Sequence, residues 1–263
     1  MPEITAAMVK ALRDKTGQGM MECKKALTES DGDVEAAVDL LRKRGMASAA
    51  SKADRAATEG LVAVHVGDGA AVMIEVLCET DFCARNDEFK AMVQQVADLA
   101  AAADADGPID ASEPITAAVQ ACFNKIGENM RYGRGVRISA PTIGHYVHHN
   151  GKVGVLIGID GDVDDDLLLG LCMHIAMAEP MAITPEEVPA DVVERERRVA
   201  MEAAAETGKP APILEKIVEG KVRKFLADRA LMEQAYIRDE KKKIKQVLGP
   251  AKVTAFARFA VGK

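Results

Sequence analysis

The sequence predicts an α+β fold: a three-helix bundle at the amino terminus, then two α+β subdomains with antiparallel sheets, the second carrying an inserted antiparallel helical hairpin. Three observations predict it. Apolar residues recur at helical spacing before residue 55, β-branched runs twice flank glycine turns after residue 60, and two long amphipathic stretches face each other across Gly208-Lys209-Pro210. The boundaries are 1–55, 56–139 and 140–263, with the hairpin at about 190–228. A chain of 263 residues that is 48% apolar and 29% charged can bury cores of this kind.

Thr5 is placed to cap a first helix whose apolar face uses Met8, Val9 and Leu12. Gly17-Gln18-Gly19 breaks it, and a second helix covers residues 20–28. After Asp31-Gly32-Asp33, the side chains of Val34, Val38 and Leu41 line a third, and residues 46–57 lead away as a helical or flexible connector. Helices of about ten residues are marginal alone, so the three must pack together. Residues 61–66 and 71–77 then form a hairpin around Gly67-Asp68-Gly69. A helix is expected at 87–102, a polar linker at 103–114, and another helix to about residue 126. A second β unit takes 136–139, 143–149 and 153–160, with Asn150-Gly151-Lys152 as its turn. Residues 167–178 read as a buried helix stopped before Pro180. In the hairpin, helices at 190–207 and 211–228 set Val188, Val192, Val199 and Ala203 against Leu214, Val218, Val222 and Phe225. Residues 253–261 supply a closing strand.

Composition excludes several functions. Aromatics are 3% with no Trp, so a stacking platform for single-stranded nucleic acid is not expected. The net charge of −7 argues against a general phosphate-backbone binder. Charge is uneven: residues 1–55 carry +1, 56–189 carry −14, 190–245 carry +3 and the remainder +3, as separate modules with different faces would. The five cysteines are scattered, and residues 1–14 hold no signal-type segment. Together these read as reduced thiols in a cytoplasmic protein. No apolar run approaches a membrane span.

No catalytic signature stands out. There is no Walker loop, no Gly-x-Ser-x-Gly elbow and no His-Glu-x-x-His helix. The run from Asp160 to Asp166 imitates a calcium loop but has Asp165 at its glycine position and Leu171 at its terminal glutamate position, so a capped turn is expected. His145, His148 and His149 fall on one expected strand, where His145 and His149 share a face; a metal-dependent hydrolase built on them is a remote alternative. Arg131, Arg134 and Arg137 around Gly133 and Gly135 read as a solvated turn or a salt-bridged strand start rather than a phosphate site. No cofactor or metal is expected, and the protein does not read as an enzyme.

One loop is distinctive: Glu79-Thr80-Asp81-Phe82-Cys83-Ala84-Arg85-Asn86. It sets an acid beside one of only six Phe residues. Residue chemistry alone favours Phe82 as a plug of the core beneath the hairpin. The functional alternative is an apolar wedge offered to a partner beside a carboxylate.

Ordered blocks along nearly the whole chain resemble the elongation factor Ts family. They include Thr16-Gly17-Gln18-Gly19-Met20-Met21-Glu22-Cys23-Lys24-Lys25, the Thr-Asp-Phe loop itself, Lys125-Ile126-Gly127-Glu128-Asn129, Gly151-Lys152-Val153-Gly154-Val155-Leu156, Met173-His174-Ile175-Ala176 and Glu219-Gly220-Lys221-Val222-Arg223-Lys224-Phe225. Residues 1–55 are similar to the ubiquitin-associated type of three-helix bundle. The resemblance implies a guanine-nucleotide exchange factor for the GTPase elongation factor Tu. It implies that Thr80, Asp81, Phe82 and Cys83 dislodge magnesium from the GTPase, with Asp81 and Phe82 as the working side chains. Met20 and Met21, with Arg13 beside them, would contact its nucleotide domain. The hairpin would be a protruding coiled coil suited to self-association as a homodimer.

Some positions depart from the family pattern. Cys83 stands where Val is usual, which suggests redox sensitivity; residues 234–239 lack a common Pro; and Lys241-Lys242-Lys243 is an unusual run. The chain also ends at Lys263 without the further helix some members place on the GTPase, which bears on the strength of that contact. A ubiquitin-associated-type adaptor is the alternative the bundle alone allows.

Overall fold

The helices begin where side chains can take up free backbone N–H groups. In this computed structural model, which describes residues 3–206 and 210–262, Thr5 Oγ1 accepts the Met8 N–H at 3.3 Å and opens α1 (Ala6–Thr16). Gly17, at φ 68°, closes it in the left-handed region where glycine carries no steric cost. Helix α2 (Met20–Glu29) follows, and Asp33 caps α3 (Val34–Lys52) through the N–H groups of Glu35 and Ala36. Val9, Leu12, Cys23, Ala26, Leu27, Ala37 and Leu41 form the core between them. Most of the expected connector is the continuation of α3, which runs to Lys52 because its Ala-rich end has good helix propensity.

Strands β1 (Glu59–Gly67) and β2 (Ala70–Cys78) pair in register around Asp68-Gly69. Helices α4 (Asp81–Arg85), α5 (Asp87–Ala100) and α6 (Glu113–Ile126) follow, with β3 (Gly107–Pro108) between the last two and β4 (Met130–Ser139) after them. The antiparallel order is β1-β2-β4-β3. Two expectations are corrected here. The strand read as 136–139 begins at Met130 and completes the first sheet rather than opening the second. The linker at 103–114 is pinned by β3, whose Gly107 and Pro108 pair with Arg137 and Val136. The glycines disguise β4 in the sequence; a Cβ on Gly133 would meet Glu75 Oε1 at 2.8 Å and Glu75 O at 3.2 Å, so a side chain there would have to displace Glu75. Buried Glu75 pairs with Arg134 at 3.0 Å, and Arg137 pairs with Asp106 at 2.5 Å, so these arginines are structural in the strand.

The second sheet, β5-β6-β9, comprises β5 (Thr142–Val147), β6 (Val153–Asp160) and β9 (Lys252–Ala260). Helices α7 (Asp165–Ala178) and α10 (Ile244–Leu248) share its core, and β7 (Ala235–Tyr236) with β8 (Asp239–Lys243) forms a short ribbon beside it. Asp164 Oδ1 caps α7 at 2.8 Å, as the turn reading of the acidic run requires.

Strand alternation stacks the layers. On β2, Val72, Ile74, Val76 and Cys78 face α5 and α6, while Ala71 and Met73 join Val62, Ile138, Leu156 and Phe259 between the two sheets. Both faces of β2 are therefore buried, which is why its sequence is almost unbroken apolar. Arg134 clamps the sheets, its guanidinium 4.4 Å from the Phe259 ring centroid.

The hairpin comprises α8 (Ala190–Ala205) and α9 (Ala211–Arg229); of its expected turn, Gly208 and Lys209 lie outside the described residues, as does Thr207. Its seam differs from expectation by one position on α8 and at the end of α9, where Leu226 rather than Phe225 joins it. Ala200 and Ala204 meet Val218 and Val222, with Val193 and Leu214 partly covered, whereas Val199 is 51% exposed and Ala203 is exposed. Small alanines let the helices approach, and the larger valine is left outside.

Candidate partner-binding site

The segment expected as a loop is a single helical turn. Thr80 leaves β2 extended, and its hydroxyl accepts the Cys83 N–H at 3.1 Å, starting α4. Asn86 ends α4 and at once caps α5 through the Glu88 N–H at 2.8 Å. Five charged and mixed residues have no readable helical period, so the caps alone mark this turn in the sequence.

The turn has two sides. Cys83 and Ala84 point into the first core with Phe89, Met92 and Cys122. Phe82 points out, 78% exposed, which corrects the reading of it as a core plug. Asp81 lies half-exposed and pairs with Arg85 at 3.0 Å, one turn along. Thr80 Oγ1 also donates to the Glu128 carboxylate, at 2.9 and 3.1 Å from its two oxygens.

Beneath the turn, the Cys78 thiol donates to Thr80 O at 3.3 Å. The neighbouring Cys83 thiol, and then burial, push the Cys78 thiol up, while Cys78 lowers Cys83. Burial pushes Cys122 up to about 11. All five cysteines are free and buried, so Cys83 is shielded rather than presented.

Arg13 is exposed in the last turn of α1, and Met20 and Met21 are exposed in the first turn of α2, Met21 at 73%. The bundle that carries them meets the first subdomain at the end of α6. A Cβ on Gly17 would meet Lys125 Cγ at 2.9 Å, and Lys125 Nζ pairs at 2.6 Å with Glu88 in the first turn of α5. The connector is tied down close by: Lys52 Nζ donates to Gly127 O, and Asn129 Nδ2 donates to Ala53 O at 3.3 Å and Arg55 O at 2.8 Å.

Glu128 and Arg85 were not singled out in the sequence. Their signals were present, as the Lys125-Ile126-Gly127-Glu128-Asn129 block and the four-residue spacing of Asp81 from Arg85. The histidine cluster does not survive: β5 ends at Val147, so His148 and His149 lie in the turn, where their rings meet at a 57° tilt with centroids 4.2 Å apart. Among the described residues no group of three His, Cys, Asp or Glu is placed to hold a metal ion, and no helix is long and apolar enough to cross a membrane.

Comparison with known proteins adds sequence relationships. A family model described as Elongation factor TS matches residues 79–263. Elongation factor Ts of Paramagnetospirillum magneticum is 43% identical over 294 aligned residues, covering 100% of this chain and 93% of the relative. The namesake from Pasteurella multocida is 42% identical over 274 residues, again 100% and 93%, and that from Dinoroseobacter shibae is 43% identical over 271, covering 99% and 93%.

Proposed function

The chain belongs to the elongation factor Ts family, the guanine-nucleotide exchange factors of elongation factor Tu, and on that premise we propose that its 80–83 segment displaces magnesium from the GTPase. The observation that carries this reading is the outward Phe82 ring beside the Asp81 carboxylate on a turn anchored from below. An aromatic ring with no place in its own core stands ready for another's.

The energetics need no bond-making. A GTPase holding nucleotide at about nanomolar strength binds it with roughly 12 kcal/mol. An exchange factor must bind the empty GTPase better than the loaded one, and by linkage each weakens the other's hold equally. A ring buried at an interface contributes on the order of 2–4 kcal/mol, a large part of the distortion required. Loss of magnesium removes the main neutralising charge on the phosphates, and nucleotide leaves faster. Exchange runs both ways, and an excess of GTP sets its direction.

In the same reading, 1–55 is a ubiquitin-associated-like bundle that grips the nucleotide domain through Met20, Met21 and Arg13. The unit at 56–139 carries the wedge, and 140–263 holds another domain of the GTPase. The hairpin, with Val199, Met201 and Ile213 exposed, serves self-association in the cytoplasm. The adaptor alternative accounts for residues 1–55 only, whereas the family match lies at 79–263.

Stopped-flow release of fluorescent GDP from elongation factor Tu tests the proposal. Phe82→Ala is expected to slow release about tenfold or more, equivalent to at least ~1.4 kcal/mol. An unchanged rate would remove Phe82 from the mechanism.

A further inference from the structure

We propose that Glu128 is a positioning residue for the Phe82 wedge: its carboxylate orients the Thr80 hydroxyl, and through it the single-turn helix that presents the ring. This rests on the reading of Phe82 given above.

Helix α4 has five residues, too few to hold itself in place, so its free N–H groups depend on outside acceptors. Thr80 supplies one for Cys83. A hydroxyl rotates freely and has one proton; a carboxylate can only accept. The Glu128 oxygens at 2.9 and 3.1 Å therefore take the Thr80 proton, which leaves a hydroxyl lone pair for the Cys83 N–H. Without Glu128 the hydroxyl is free to turn its proton elsewhere, and the cap loses its fixed direction.

Glu128 is itself held from both sides. It follows Gly127, whose left-handed φ of 79° ends α6 and whose carbonyl accepts from Lys52. The next residue, Asn129, donates its backbone N–H to Glu79 Oε1 at 2.6 Å and its amide to the connector carbonyls of Ala53 and Arg55. One short turn thus ties the end of the bundle to the residues on which the wedge stands.

The test is GDP release from elongation factor Tu at increasing concentrations of the full-length factor, with Phe82→Ala as reference. Glu128→Ala and Thr80→Val are each expected to lower the maximal rate about fivefold, the order of one lost helix cap, with the half-saturating concentration within about twofold. Glu128→Gln keeps an acceptor oxygen and Thr80→Ser keeps the hydroxyl; both restore most of the rate. The Glu128→Ala, Thr80→Val double variant is no slower than the worse single, because both act through one bond. Unchanged rates in both singles, additive losses in the double, or no rescue by Gln and Ser would overturn the role of Glu128 while Phe82→Ala stays slow. A normal rate for Phe82→Ala would overturn the underlying reading instead.

Discussion

Phe82 and Phe89 stand on consecutive helices and face opposite ways. Phe89, in α5, is 0% exposed at the centre of the first core; Phe82, in α4, is 78% exposed. Helix α5 runs 14 residues and owes its place to a continuous apolar face, so its aromatic serves the fold. Helix α4 is held by the Thr80 cap, the Asn86 end and two small inward residues, and it spends its one aromatic on solvent.

The contrast fails if the two rings prove equivalent in stability. Phe89→Ala is expected to cost about 3–5 kcal/mol in urea denaturation, and Phe82→Ala to stay within about 0.5 kcal/mol. Similar losses would place Phe82 in the fold after all.

The hairpin extends the comparison, since Val199, Met201 and Ile213 are likewise turned outward. If they serve self-association alone, deleting 190–228 removes a dimer from the sedimentation profile and leaves GDP release within about twofold, as for a site away from the wedge. A profile identical to the intact chain would reject this.

A third test contrasts the buried thiols of the first layer with the imidazole of the second. Gln234 Nε2 donates to Asp228 O at 2.8 Å and Ala178 O at 3.4 Å, so its oxygen faces His174 Nε2 at 2.9 Å and that nitrogen carries the proton. Nδ1 is buried with no hydrogen-bond partner, and burial lowers the pKa of His174. The unfolded chain therefore takes up this proton first. Stability from His174 is complete above the usual histidine value near 6.5 and is lost as pH falls below it toward the folded value. Thermal midpoints between pH 7 and 5 should fall, and His174→Gln should flatten that slope; an equal slope in the variant would contradict the assignment.

The smallest effect belongs to Cys83→Val. Similar volume in a closed site predicts a change under about 1.5 kcal/mol and unaltered exchange. A large loss of exchange would give the thiol a role beyond packing.

Much of this was legible in the sequence. Thr5 announced its helix because capping is local chemistry, and Gly67-Asp68-Gly69 announced its hairpin. Strand β4 was legible only in part, since Gly133 answers to Glu75, 58 residues earlier in the chain and adjacent only after folding. The α8 seam was misplaced because alanines and valines fit either face until the partner helix selects the smaller. At the candidate site, the residues stood out while the direction of Phe82 did not. At the foot of that turn Thr80 meets Glu128, a contact 48 positions apart in the chain.

The most direct test of the wedge is GDP release from elongation factor Tu, with and without saturating factor, as free magnesium is varied. The account predicts strong acceleration at millimolar magnesium, lost in Phe82→Ala, and little acceleration once a chelator has already removed the ion. Acceleration of equal size with and without magnesium would contradict it.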